Sequence, residues 1–264
     1  MYNDDQFSLS HNFSQKPDPS QFRLHTHAKA ELYYFVRGAG TFHIEGSAYP
    51  LEQGDLLLLQ SAESHYIEVD TNQPYERKVL HFDLGALKSI DPHGHLSQPF
   101  LDREPGKQNL YKAFRFPGGS CEGYFDTMLS PDPDPRVNIF AGLIPLLHIL
   151  SRLHAEPAAQ QQPDPVEYQI MRYLNENIGS SITLDDICQR FYISKSQLCR
   201  VFRDSTGVSV KHYLTVKRLV KAKQLIDAGQ PPTHVYPQCG FHDYSGFYRA
   251  YRKHYGETPG NRKK

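Results

Sequence analysis

Residues 194–210, SKSQLCRVFRDSTGVSV, align without a gap on residues 243–259, DYSGFYRAYRKHYGETP, 49 positions further along the chain. Ser196 meets Ser245, Arg200 meets Arg249, Arg203 meets Arg252 and Gly207 meets Gly256, while apolar Leu198 and Phe202 meet Phe247 and Tyr251. Polar, apolar and glycine positions are all in phase, which marks an internal repeat. The apolar pair four residues apart gives a helix one buried stripe, and the glycine just beyond supplies a left-handed stop. The chain is therefore expected to build one short amphipathic helix twice, each copy with a polar, basic outer face.

The first copy has a second helix before it. Thr183 with Asp186 is a capping-box-like start for a short helix carrying Leu184, Ile187 and Cys188 inward. Phe191-Tyr192-Ile193 makes a tight turn, and Ser194 with Gln197 forms a second capping box. Leu198, Val201 and Phe202 form the buried stripe, leaving Lys195, Ser196, Gln197, Arg200 and Arg203 outside. Helix, short turn, helix with a basic exposed face is the form that enters a major groove, where Arg, Gln and Ser bond base edges and phosphates. Between the copies, Lys211–Asp227 carries Tyr213, Leu214, Leu219, Ala222, Leu225 and Ile226 on one face, and Gly229 and Pro231-Pro232 stop it. A rod of roughly 25 Å suits two recognition helices set in groove segments about 34 Å apart on one face of a duplex. The alternative is an ordinary helical domain around a core helix.

Charge separates the chain in the same place. Residues 1–164 hold 13 Lys+Arg against 21 Asp+Glu, and residues 165–264 hold 16 against 8, so the zero net charge hides a −8 half and a +8 half. The boundary, Glu156–Pro165, reads EPAAQQQPDP and is expected to be a linker. Cys121, Cys188, Cys199 and Cys239 show no CxxC or CxxH spacing, which argues against a disulfide framework or zinc finger. The uncharged run Val137–Ser151 carries Gly142, Pro145 and His148 and reads as too short and too broken to span a bilayer. The acidic opening Met1-Tyr-Asn-Asp-Asp does not read as a secretory signal. No membrane partner and a cytoplasmic location are the expectation.

Leu184 to Ile187, Leu198-x3-Phe202, Arg218-Leu219-x2-Ala222, Gly240-Phe241, Phe247-x3-Tyr251 and Gly256-x-Thr258-Pro259 together resemble the DNA-binding domain of the AraC/XylS transcriptional regulators, over residues 166–264. The resemblance implies an all-α domain of seven helices with two helix-turn-helix units on double-stranded DNA. By position it puts base contacts on Ser196, Cys199 and Arg200 and on Tyr244, Ser245 and Arg249. Lys195, Arg203, Arg252 and Lys253 fall toward the helix flanks and suit phosphates, and Gln197 joins the same face. Two departures stand out: Tyr192 replaces the usual turn glycine, and Tyr236-Pro237 replaces an alanine and a helix former.

The acidic half reads as short strands. Leu32–Arg37, Thr41–Glu45, Leu56–Leu59, Tyr66–Val69 and Val79–Leu84 are separated by Gly38-Ala39-Gly40, Gly46-Ser47 and Gly54-Asp55, which suggests an all-β barrel or jelly roll over 1–110. His25, His27, Glu31, Tyr33 and Phe35 share parity, so on one extended strand they face one side, either a wet surface or a lined cavity. His25, His27, Glu31 and Gly38 resemble the first motif of the cupin fold. Gly54 and His65 partly meet the second, with Gln60 and Ala62 where proline and glycine are usual. The resemblance implies an effector site on His25, His27, Glu31, Tyr33, Phe35 and His65, with His25, His27, Glu31 and His65 as a divalent-metal set.

Residues 111–155 read as a helical region. Phe140, Leu143, Leu147 and Leu150 recur at helical spacing, with Ile144 and Leu153 beside them and Pro145 interrupting. This stripe either pairs two chains or packs on the barrel. The leading expectation is a non-enzymatic, two-domain transcription regulator: a small-molecule effector in the barrel, carbohydrate by resemblance, a homodimer on DNA, and RNA polymerase as a partner if it activates. The alternative is a metal-dependent cupin enzyme with a basic tail, although no nucleophile elbow, phosphate loop or paired-carboxylate site supports one.

Overall fold

A computed structural model describes residues 1–131, 134–155 and 166–260, apart from the side chain of Tyr168. The expected linker Glu156–Pro165 lies outside the described residues. The chain divides into two compact units. The first comprises Met1–Arg23, Lys29–Glu63 and Ile67–Gln162; the second comprises Leu24–Ala28, Ser64–Tyr66 and Pro163–Lys264.

The strands are β1 (Tyr2–Asn3), β2 (Phe7–Ser14), β3 (Ala30–Arg37), β4 (Gly40–Ile44), β5 (Ser47–Pro50), β6 (Leu56–Leu59), β7 (His65–Val69), β8 (Tyr75–Phe82) and β9 (Leu110–Tyr111). One sheet has the order β1-β2-β8-β3-β6-β9 and the other β5-β4-β7, the β-rich class expected from the turn spacing. β3 and β6 read AELYYFVR and LLLL because both of their faces are covered. Ala30, Leu32 and Tyr34 face one core with Leu56, Leu58, Leu80 and Phe82. Tyr33 and Phe35 face the other, with Phe42, Ile44, Leu57, Leu59, Ile67, Tyr75 and Val79. Each buried Leu, Ile, Val or Phe side chain among them contributes about 1.5–3 kcal/mol.

Three helices accompany the sheets: α1 (Gln98–Leu101), α2 (Glu122–Met128) and α3 (Pro135–His154). Asp134 caps α3, accepting from the amides of Arg136 and Val137. α3 runs unbroken through Pro145, so the helix does not split there. By length and composition α3 is long and apolar enough to cross a membrane, contrary to the reading of Val137–Ser151 as too short and broken. Here Leu143, Leu147 and Leu150 are spent in the first core, the outcome in which the stripe packs on its own barrel. Gly142 makes the close approach to α2: a Cβ there would collide with the Tyr124 carbonyl and the Met128 side chain.

The second unit contains α4 (Val166–Glu176), α5 (Leu184–Phe191), α6 (Lys195–Thr206), α7 (Val210–Asp227), α8 (Pro232–Gln238) and α9 (Tyr244–Tyr255). These are six helices among the described residues, where the resemblance implied seven. α7 belongs to two cores. Its first turns give Val210, Tyr213 and Leu214 to a cluster with Ile170, Leu174, Ile187, Leu198 and Phe202. Its remainder gives Leu219, Ala222 and Ile226 to a cluster with Val235, Phe247 and Tyr251. Its 18 residues make it about 27 Å long. Arg218 ties it to the loop before α5, donating from Nε to the Ile178 carbonyl (3.0 Å) and from an Nη to the Ser180 carbonyl (2.8 Å). Leu184 is 38% exposed rather than turned inward, while Ile187 is buried. Pro237 sits in the last turn of α8, which ends after seven residues.

Candidate functional site

α6 and α9 are the same object built twice. Ser194 caps α6, its Oγ accepting from the Gln197 amide (3.2 Å), and Asp243 caps α9, accepting from the Gly246 amide (2.6 Å). Both helices run 12 residues and end on glycine, Gly207 at φ 72° and Gly256 at φ 73°. Leu198 and Phe202 on one, Phe247 and Tyr251 on the other, are buried. Lys195, Ser196, Gln197, Cys199, Arg200 and Arg203 are all exposed, as are Tyr244, Ser245, Arg249, Arg252 and Lys253. Among the described residues no carboxylate pairs with Arg200, Arg203, Arg249 or Arg252, so these guanidinium groups are available to an external anion.

Other members of the predicted set are partly engaged. Gln197 Oε1 accepts from the Ser194 amide (2.9 Å), closing the capping box, and Lys195 Nζ pairs with Asp185 (2.7 Å). The Tyr244 ring lies 5.7 Å from Tyr236 and 6.2 Å from Tyr248, which steadies it on the surface of the helix. Lys253 lines a cavity of about 500 Å³ between α7 and α9, together with Lys211, His212 and His254. An anion beside this face therefore meets cations from both helices.

The predicted barrel residues are distributed differently from the expectation. β3 starts at Ala30, so His25 and His27 are not on it, and the shared-parity argument holds only for Glu31, Tyr33 and Phe35. His25 instead makes an isolated bridge with His65, the two exchanging backbone hydrogen bonds of 3.0 Å. In the second unit His25, His27 and His65 hold their ring nitrogens within 4.8 Å of one another. Three imidazoles in that arrangement suit a borderline divalent ion such as zinc or nickel. Glu31 belongs to the first unit, where it is buried and lies 3.4 Å from His81. Tyr33 and Phe35 are core residues, their rings packed on Phe42 and Tyr75.

Two family profiles match the sequence. An AraC-like ligand binding domain covers residues 13–169 and a helix-turn-helix domain covers residues 187–264. The first alone spans more than half of the chain. The chain belongs to the AraC family. This AraC-family protein is a DNA-binding transcription regulator with an N-terminal ligand-binding domain. It is similar to the Msm operon regulatory protein of Streptococcus mutans, 23% identical, with 86% of this chain and 81% of that protein covered. It is also similar to the HTH-type transcriptional activator RhaR of Yersinia pestis, 25% identical over 90% of this chain and 83% of that one. Among solved structures it resembles ToxT from Vibrio cholerae, at 11% identity, 97% coverage of both chains and a TM-score of 0.43.

Two positions where the family resemblances lead one to expect glycine keep the left-handed backbone without it: Tyr192 has φ 53° and Ala62 has φ 71°. Two residues of the barrel escaped sequence reasoning. His81 belongs to no motif, yet it faces Glu31 across β3 and β8. Arg77 went unnoticed, although β8 alternates Tyr75-x-Arg77-x-Val79-x-His81, a period-2 signal that puts all four on the face shared with Tyr33 and Phe35.

Proposed function

We propose that this AraC-family regulator sets α6 and α9 into successive major-groove segments of promoter DNA, and that a small molecule bound in the N-terminal domain changes how tightly it does so. The observation that carries the reading is the duplication of a capped helix with an exposed pair of arginines that have no carboxylate partner among the described residues: Arg200 and Arg203 on α6, Arg249 and Arg252 on α9. Ser196, Cys199 and Arg200, with Tyr244, Ser245 and Arg249, are assigned to base edges. Lys195, Arg203, Arg252 and Lys253 are assigned to phosphates. Control by the effector follows if it has different affinities for the DNA-competent and incompetent arrangements.

Activation is supported by the relatives named transcriptional activators, and RNA polymerase would then be a partner. A cytoplasmic location accords with that role, and no catalytic chemistry is needed for it. A homodimer would have to use a surface other than the Leu143, Leu147 and Leu150 stripe, which is spent within the chain. A divalent ion, if used, would be held by His25, His27 and His65.

The test is fluorescence anisotropy of the full-length protein with DNA from upstream of its own gene, at rising salt. The expected result is affinity that falls linearly on a log–log plot, because phosphate contacts release counterions. Binding indifferent to salt, or equal for unrelated DNA, would count against the reading.

A further inference from the structure

We propose that the barrel's ligand is an organic acid, whose carboxylate or phosphate oxygens meet Arg77 and the hydroxyls of Tyr33 and Tyr75. The inference rests on the effector reading above and names the class of effector. β3 and β8 pair with Tyr33 opposite Val79 and Phe35 opposite Arg77, so Tyr33, Phe35, Tyr75, Arg77 and Val79 point to one side. That side is the interior between the two sheets, where Tyr33 and Tyr75 share a core with Phe22, Phe42 and Leu57.

Arg77 is held there without being neutralised. Its guanidinium carbon lies 5.0 Å from the Phe22 ring centroid, 5.5 Å from that of Tyr75 and 5.9 Å from that of Tyr33. Aromatic faces attract a cation but offer no lone pair in the guanidinium plane, so apart from the approach of one donor to the Tyr75 phenol oxygen its fork meets no acceptor among the described residues. Among the described residues no carboxylate forms an ion pair with it. The other charged groups on the same strand faces are Glu31 and His81, and these face each other at 3.4 Å.

The tyrosine hydroxyls make the stronger point. Tyr33 is 4% exposed and Tyr75 1% exposed, and among the described residues neither Oη has a partner in hydrogen-bonding geometry, the Arg77 guanidinium only approaching that of Tyr75. Phenylalanine would fill the same space without a stranded polar atom, so both hydroxyls cost stability in the ligand-free chain. Burial raises the Tyr75 phenol well above its ordinary range, against the pull of the Arg77 cation beside it, so it remains a neutral O–H donor. Two O–H donors and a guanidinium fork on one face of the paired strands match an oxyanion, which accepts from all of them. A neutral ligand leaves the cation uncompensated. The surrounding rings suit the carbon skeleton.

The experiment uses the full-length protein. D-glucuronate, D-glucose 6-phosphate and benzoate are titrated beside D-glucose and benzamide, read by tyrosine fluorescence, which no tryptophan obscures, and by thermal shift. At least one acid should bind saturably, about ten- to a hundredfold tighter than its neutral counterpart, and lose that margin in R77Q and R77M. Y33F and Y75F guard against misfolding. Each should raise the melting temperature of the ligand-free protein and weaken the acid. Equal binding of acid and neutral partner, unchanged acid binding in both Arg77 variants, or Tyr→Phe variants that destabilise the free protein and leave affinity intact would each overturn the assignment. Glucose binding that survives R77Q overturns it while leaving the effector reading in place. No saturable binding by any of the five compounds overturns it as well.

Discussion

Ser194 and Asp243, 49 positions apart in the sequence, do the same work at the N-termini of α6 and α9. Each accepts a hydrogen bond from the amide three residues on, at 3.2 Å and 2.6 Å. Chemistry differs, hydroxyl against carboxylate, while position does not. Ser194→Ala and Asp243→Ala should each cost about 1 kcal/mol, and Ser194→Gly only a few tenths. Urea denaturation followed by far-ultraviolet circular dichroism measures this. If Ser194→Ala and Ser194→Gly were equally harmful, the hydroxyl would not be acting as a cap.

Tyr192 carries a cost that glycine would remove. It ends α5 in the left-handed region, φ 53° and ψ 41°, and is 95% exposed, so its ring contributes no packing. Left-handed backbone costs a residue with a Cβ about 1–2 kcal/mol, and glycine's extra entropy returns part of that. Tyr192→Gly should therefore stabilise the helical domain by about 0.5–1 kcal/mol net. A lower unfolding midpoint in that variant would mean that the ring makes contacts its exposure does not reveal.

What was legible in the sequence was local. Thr183, Ser194 and Gly207 act within one helical turn of themselves, and each adopts the conformation its spacing implied. The period-2 run Phe7-Ser8-Leu9-Ser10 held the signal for β2, yet lay before the first glycine turn used to frame the strands. His25 and His27 were placed on a strand because their parity matched Glu31, but parity carries no information once the chain leaves the ladder before Ala30. Arg77 becomes visible only when β8 is paired with β3, because its meaning lies in partners distant in sequence. Pro145 misled in the other direction. A helix buried along one face retains its hydrogen bonds elsewhere, and tertiary packing outweighs one lost donor.

The pair Glu63–Arg103 is fully buried in the barrel, with side chains 1% and 0% exposed and two N–O distances of 2.7 Å. Glu63 also accepts from the Gly106 and Gln60 amides and from Asn109 Nδ2. Removing one partner strands the other, so Arg103→Met should destabilise the N-terminal domain by roughly 3–5 kcal/mol. Adding Glu63→Leu should recover little of it, because the Gly106 and Gln60 amides and the Asn109 amide then lose their acceptor. Thermal unfolding of the single and double variants checks this. Full recovery in the double variant would show that only the charge mattered.

Acid should weaken the N-terminal domain through His43. Burial pushes its imidazole below the ordinary value, and Glu68, 3.5 Å away, pulls only partly in the other direction. The native state thus resists a proton that the unfolded chain accepts near about pH 6.5. Its contribution is complete above that pH and is lost as pH falls toward the lower native value. Unfolding free energy measured from pH 8 to 5 should decline below about 6.5, and His43→Gln should flatten that decline. An unchanged slope in the variant would assign the acid sensitivity to other groups.

Arg200 and Arg252 separate reading a sequence from holding a backbone. Both are exposed and, among the described residues, have no carboxylate partner, but Arg200 lies mid-helix on α6 and Arg252 in the last turn of α9. A bidentate arginine–guanine contact discriminates by about 1–3 kcal/mol. Arg200→Ala should therefore lose that much on the cognate site and little on a site mutated at the one base it reads. Arg252→Ala should weaken every DNA alike and reduce the salt slope by about one unit. Anisotropy titrations of both variants against cognate and single-base-mutated duplexes, at several salt concentrations, give all four quantities. Two variants that lose affinity uniformly would move Arg200 from base readout to the phosphate backbone, leaving sequence choice to Ser196, Cys199 and the α9 residues.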